Sequence, residues 1–79
     1  MNIKEERKKL KIKQYQMARV VGLATENYNK VENGKAQWTE WRYNLACQFI
    51  VEYKKLSEDL ENLIQSYEKK SIDIKKKQI

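Results

Sequence analysis

The side chains able to do chemistry are few, and they are suited to hydrogen bonding. The 79 residues contain no histidine and one cysteine, Cys47. There is no paired-carboxylate constellation and no glycine-rich loop to cradle a phosphate, and Cys47 has no partner base. Metal-ligand spacing is absent as well, so neither a metal nor another cofactor is expected. What remains is a polar set between Gln14 and Lys35. On a helical wheel over residues 25–33, Glu26, Asn29, Lys30 and Asn33 point one way and Tyr28 and Val31 the other. Thr25 stands at the leading end and Asn27 at the flank. Lys30 can donate to guanine O6 and N7. Glu26 can accept from cytosine N4, and Asn29 can pair with adenine. Thr25 can bond polar base edges or pack on a thymine methyl.

Two short amphipathic segments must position this set. Met17, Ala18 and Val21 share a face of the first, about residues 14–21, and Tyr28 and Val31 share a face of the second, about 25–33. Gly22 between them suits a tight turn, because it reaches positive φ at little cost. Gly34 closes the second segment as a left-handed C-terminal cap. These are the chain's only glycines. The pattern is helix, turn, helix, stop. Gln14 opens the first segment, where free N–H groups and the helix dipole favour an anion such as a phosphate. Ahead of both, residues 2–10 read as a helix capped by Asn2, with Glu5 three residues on. Ile3 and Leu10 are its core positions, and Arg7 shares their face.

At these residues the chain resembles the Cro and phage-repressor type of helix-turn-helix DNA-binding domain, the XRE type. Arg7, Gln14, Ala18, Gly22, Tyr28, Val31 and the run Glu32-Asn33-Gly34-Lys35 carry the resemblance, which spans roughly residues 3–50. It implies that Arg7 pairs with Glu32 and ties the first helix to the end of the third. It implies base contacts from Thr25, Glu26 and Lys30, and backbone contacts from Asn27 and Asn33; Gln14, Lys35 and Arg42, which lies near the loop that faces DNA in the family, are expected at the DNA as well. Three positions depart from the family pattern. Ala24 replaces the usual Ser or Thr cap, so Thr25 is expected to take over capping and shift the helix start by one residue. Tyr28 is larger than the usual Ile or Val and is expected at the core edge with a wet hydroxyl. Trp38 stands where a proline usually follows.

Thr39 can cap a fourth helix, on which Trp41, Leu45, Phe49 and Tyr53 recur every four residues, with Ala46, Ile50 and Leu56 beside them. Cys47 is expected to be an inert side chain on it. Ser57 can cap a fifth helix with a narrower stripe of Leu60, Leu63, Ile64 and Tyr67; Glu58, Asp59, Glu61 and Glu68 form its outer face. That stripe either folds back on the domain or meets its twin across a two-fold, and pairing is favoured. Residues 71–79, with Ile72, Ile74 and Ile79 among lysines, read as a frayed basic tail.

Length allows one small core, and the scarcity of helix breakers argues for an all-helical chain. The expected architecture is an all-α, five-helix, repressor-like bundle. Residues 1–56 form the helix-turn-helix domain, 57–70 the dimerisation helix and 71–79 a flexible tail. The net charge of +6 is uneven: residues 1–37 carry +5, residues 38–68 carry −3 and residues 69–79 carry +4. A basic front suits a phosphate-facing surface. A lone cysteine, with no signal-peptide pattern and no membrane-length apolar run, fits a reducing cytoplasm. The expected function is a homodimeric transcriptional regulator reading an inverted repeat in double-stranded DNA. A repressor of phage or mobile-element type that acts on its own gene fits best. The competing expectation is a protein-interaction or antitoxin-like module that uses the same fold to hold a foreign protein.

Overall fold

The second helix is the one around which the others pack. The computed structural model describes residues 1–56 and 59–77, in the order α1 (Ile3–Lys9), α2 (Gln14–Val21), α3 (Thr25–Glu32), α4 (Glu40–Leu56) and α5 (Leu60–Lys77). α2 touches α3, α4 and α5, and α1 rests on α4. With neighbours on three sides, α2 buries more than one stripe: Val20 is inaccessible along with Met17, Ala18 and Val21. Ile12, in the α1–α2 connection, is also buried, though it belongs to no helical stripe. The core is completed by Ile3, Tyr28, Leu45, Ala46, Phe49 and Ile50, and by Leu63, Ile64 and Tyr67 from α5. No described helix is long and apolar enough to cross a membrane.

The helix ends follow from backbone chemistry. The Asn2 side chain accepts from the Glu5 N–H at 3.1 Å and caps α1. Gly22 (φ +73°) and Gly34 (φ +78°) end α2 and α3 in the left-handed region. After each, the next residue closes back on the helix. Leu23 N–H reaches the Ala18 carbonyl at 2.9 Å, and Lys35 N–H reaches the Lys30 carbonyl at 2.8 Å. α1 ends the same way without a glycine. Lys11 takes φ +59°, and Ile12 N–H reaches the Arg7 carbonyl at 3.1 Å.

The C-terminal part departs from expectation in three ways. Leu63, Ile64 and Tyr67 do not wait for a twin; they are buried against the chain's own helices. The reason is that α2 and α4 leave an apolar trough between them, and folding back covers it without a second chain. The expected cap Ser57 lies outside the described residues, as do Glu58, Ile79 and the Leu56 side chain. Asp59 caps α5 instead, accepting from the Glu61 and Asn62 N–H groups at 2.9 and 3.2 Å. Residues 71–77 are not a frayed tail but the last two turns of α5. Ser71 is buried there against the α2–α3 turn, and Ile74 packs on the core. A small side chain at 71 and none at 22 let the two backbones close up: a Cβ on Gly22 would lie 3.1 Å from Ser71 Oγ.

Candidate nucleic-acid interface

The third helix starts where the residue set needs it. Ala24 is extended at the N-cap position and makes no side-chain cap, and Thr25 is the first helical residue. The expected one-residue shift does not occur, because the turn geometry set by Gly22 fixes the start without a capping side chain. Thr25, Glu26, Asn27 and Lys30 are all exposed, and none makes a side-chain hydrogen bond among the described residues. Lys35, just past Gly34, is exposed as well.

The inner side of α3 is pinned by an ion pair. Arg7 Nε and Nη2 donate to the two Glu32 carboxylate oxygens at 2.9 and 2.8 Å. Arg7 Nη1 donates to the Ile12 carbonyl at 2.9 Å. The Glu32 side chain has no exposed surface. Burial alone would raise its pKa, but hydrogen bonds from Arg7 and Gln14, and the Arg7 charge, hold it below the usual carboxylate range. The fork therefore fixes the end of α3 to α1 and to the α1–α2 connection. Tyr28 sits deeper than expected. It is fully buried, its ring meets Trp38 edge-on at 5.9 Å, and its hydroxyl has no hydrogen-bond partner among the described residues. Trp38 in turn meets Tyr43 at 5.7 Å and so lids the core edge, which keeps the Tyr28 hydroxyl dry.

From Glu32 a chain of amides runs outward. Gln14 Nε2 donates to Glu32 at 3.2 Å. Asn29 Nδ2 donates to Gln14 Oε1 at 3.1 Å, and Asn33 Nδ2 donates to Asn29 Oδ1 at 3.2 Å. Lys4 Nζ donates to Asn33 Oδ1 at 2.9 Å and ends the chain. Asn29 is thus turned towards α2, partly covered, and it holds Gln14. Gln14 itself remains at the α2 N-terminus, half-exposed.

Arg42 is the other residue tied inward. Its Nε donates to the Val21 carbonyl at 3.0 Å, and its guanidinium lies 4.4 Å over the Trp41 ring. Burial lowers its pKa. It closes the C-terminus of α2, an additional task beside the expected phosphate contact. Lys4 and Arg19 did not stand out by sequence. Arg19 grips α5, with bonds of 2.7 to 2.8 Å to Glu61 and Glu68. The spacing of those acids was the available signal: residues seven apart share a helix face and can flank one cation.

The arrangement presents an exposed polar helix, held rigidly at its inner face, beside a helix N-terminus able to take an anion. Residues 3–37 match the family model described as helix-turn-helix. No curated protein and no solved structure matches the chain. The matched segment holds α1, α2, α3 and the amide chain, and stops before α4. Residues 3–37 of this chain are therefore similar to the helix-turn-helix family, which supports the resemblance to the Cro and phage-repressor type.

Proposed function

We propose that the protein is a sequence-specific transcriptional regulator that lays α3 in the major groove of double-stranded DNA. The observation that carries this is the exposed, unpaired set Thr25, Glu26, Asn27 and Lys30 on a helix whose inner face is locked by Arg7 and Glu32. Thr25, Glu26 and Lys30 read base edges, Lys30 through guanine O6 and N7. Gln14, Asn27, Asn33 and Lys35 take phosphates, and the α2 N-terminus adds its dipole. Asn29 positions Gln14. Arg42 steadies the end of α2 and offers its outer N–H groups to the backbone.

One eight-residue helix covers few base pairs, so an inverted repeat bound by two copies suits the task. Two recognition helices would stand about one turn of DNA apart, roughly 34 Å. Since the α5 stripe is used internally, the pairing face we assign is the groove between α4 and α5. Cys47, Val51 and Tyr67 line one end of it, and Trp41 and Ile74 the other. Glu52, Lys55, Lys70 and Asp73 border it, two acids and two lysines, which suits a face meeting its own copy. Bound over a promoter, including that of its own gene, such a dimer blocks polymerase, as a phage or mobile-element repressor does.

Fluorescence anisotropy with the region upstream of the gene and a shuffled duplex, at several salt concentrations, tests the proposal. Tight binding to the native duplex that Lys30→Ala and Glu26→Ala abolish is the expected result. Equal affinity for both duplexes would sink it. If Val51→Glu leaves a dimer intact in sedimentation, the pairing face is wrong; capture of a foreign protein there would favour the interaction-module alternative.

A further inference from the structure

We infer that the C-terminal turn of α5 is a second DNA contact, in which Lys75 and Lys76 clamp the backbone phosphates beside the leading end of α3. The inference rests on the α3-in-groove reading and extends it to a part of the chain outside the helix-turn-helix segment. Three observations lead to it. First, α5 stays helical to Lys77, so its lysines leave the backbone in fixed directions. Second, α5 closes on the α2–α3 turn. The Lys75 Cε and Nζ atoms lie 3.0 and 3.1 Å from where a Gly22 Cβ would stand. A single cleft is lined by Gly22, Leu23 and Ala24 on one side and by Ser71, Ile72 and Lys75 on the other. Ala24 immediately precedes the first residue of α3, so Lys75 flanks the end of α3 that enters the groove. Third, Lys75 and Lys76 are exposed, and neither pairs with a carboxylate among the described residues.

Lys70 and Lys75 of α5 lie on different faces. Lys70 lies 4.2 Å over the Tyr67 ring and borders the α4 groove with Asp73 and Ile74. Lys75 lies on the opposite side with Ile72, over the turn, and Lys76 follows Ile72 by four residues, one helical turn on. A helix about 10–12 Å across fills a major groove about 12 Å wide, so groups beside its leading end meet the phosphates that rim the groove. Nothing about these two lysines depends on base identity. Their contribution is therefore affinity and salt dependence, without discrimination.

The test compares the full chain with a Lys75→Gln, Lys76→Gln double variant on the same two duplexes, from low to high salt. Removing one lysine–phosphate contact makes the slope of log affinity against log salt shallower by about 0.9. The expected result is a slope shallower by nearly two, weaker binding to both duplexes at low salt, and an unchanged ratio between them. A role confined to the fold, through the α5 dipole or the α2 end, would move the thermal midpoint and leave the slope. A slope equal to that of the unsubstituted chain overturns the inference, and leaves the α3 proposal standing if that chain still prefers the native duplex. If it binds both duplexes equally, the α3 proposal fails, while the slopes still decide the lysines. No binding to either duplex overturns both.

Discussion

At the scale of single residues, the Arg7–Glu32 pair is the most consequential contact. Breaking a buried pair leaves the other charge without compensation, which costs more than the intact pair contributes. Arg7→Ala is therefore expected to destabilise the fold by about 3–5 kcal/mol in urea unfolding followed by circular dichroism. Replacing both, as Arg7→Met with Glu32→Leu, should cost far less, because no charge is stranded. If the double replacement is as damaging as the single one, the pair contributes outright stability. The neighbouring Tyr28→Phe change argues the same way. Its hydroxyl is buried without a partner, so removing it should leave the unfolding midpoint unchanged or raise it. A clear loss of stability would mean that the hydroxyl bonds to Glu32 or Arg7. The family pattern made the ion pair legible before the fold was known. It could not show Tyr28 as fully buried, because that depends on Trp38, which departs from the pattern and packs over it.

At the scale of elements, helix type and position were readable because the signals are local. The stripe of Met17, Ala18 and Val21, the two glycines and the Asn2 cap each act within a turn or two of chain. Lys11 was not readable, since a lysine in the left-handed region announces nothing. Its φ of +59° carries a cost of about 1–2 kcal/mol for an L-residue, partly offset in a Lys11→Gly variant by glycine's larger entropy loss of roughly 0.5–1 kcal/mol. Lys11→Gly should thus stabilise the protein by up to about 1.5 kcal/mol, read as a higher urea midpoint at an unchanged slope. Gly22 is the converse case. A side chain there would face both the strain of φ +73° and the crowding from Ser71 and Lys75. The place of α5 was the least legible feature. Its stripe was visible, but which surface covers it depends on a trough formed by α2 and α4, distant in sequence. Only Glu61 and Glu68, spaced to flank Arg19, hinted at it.

At the scale of the molecule, the uneven charge has a structural use. The acidic middle of the chain neutralises cations of the basic front from behind: Glu61 and Glu68 hold Arg19, and Glu6 holds Lys54 in the reverse sense. Among the described residues, the lysines without carboxylate partners include Lys30 and Lys35 in or near α3 and Lys75 over the α2–α3 turn, with Lys76 next to it. Acid should act on the Arg19 clasp. Hydrogen bonds from Arg19 hold Glu61 and Glu68 below their ordinary range. With the folded-state values depressed, the unfolded chain takes up these protons first as pH falls. The stabilisation is therefore complete above the ordinary glutamate value, about 4.3, and drains away below it. Because both carboxylates are partly exposed, the clasp is screened by salt and modest in size. The urea midpoint should stay level from neutral pH to about 5 and then decline, and a Glu61→Gln, Glu68→Gln variant should decline less steeply. Equal declines would mean that the acid sensitivity lies in Glu32 and Glu6, whose values are also lowered. In that case α5 is held by Leu63, Ile64 and Tyr67 alone, and the placement of Lys75 beside α3 would follow from apolar packing and be insensitive to both acid and salt.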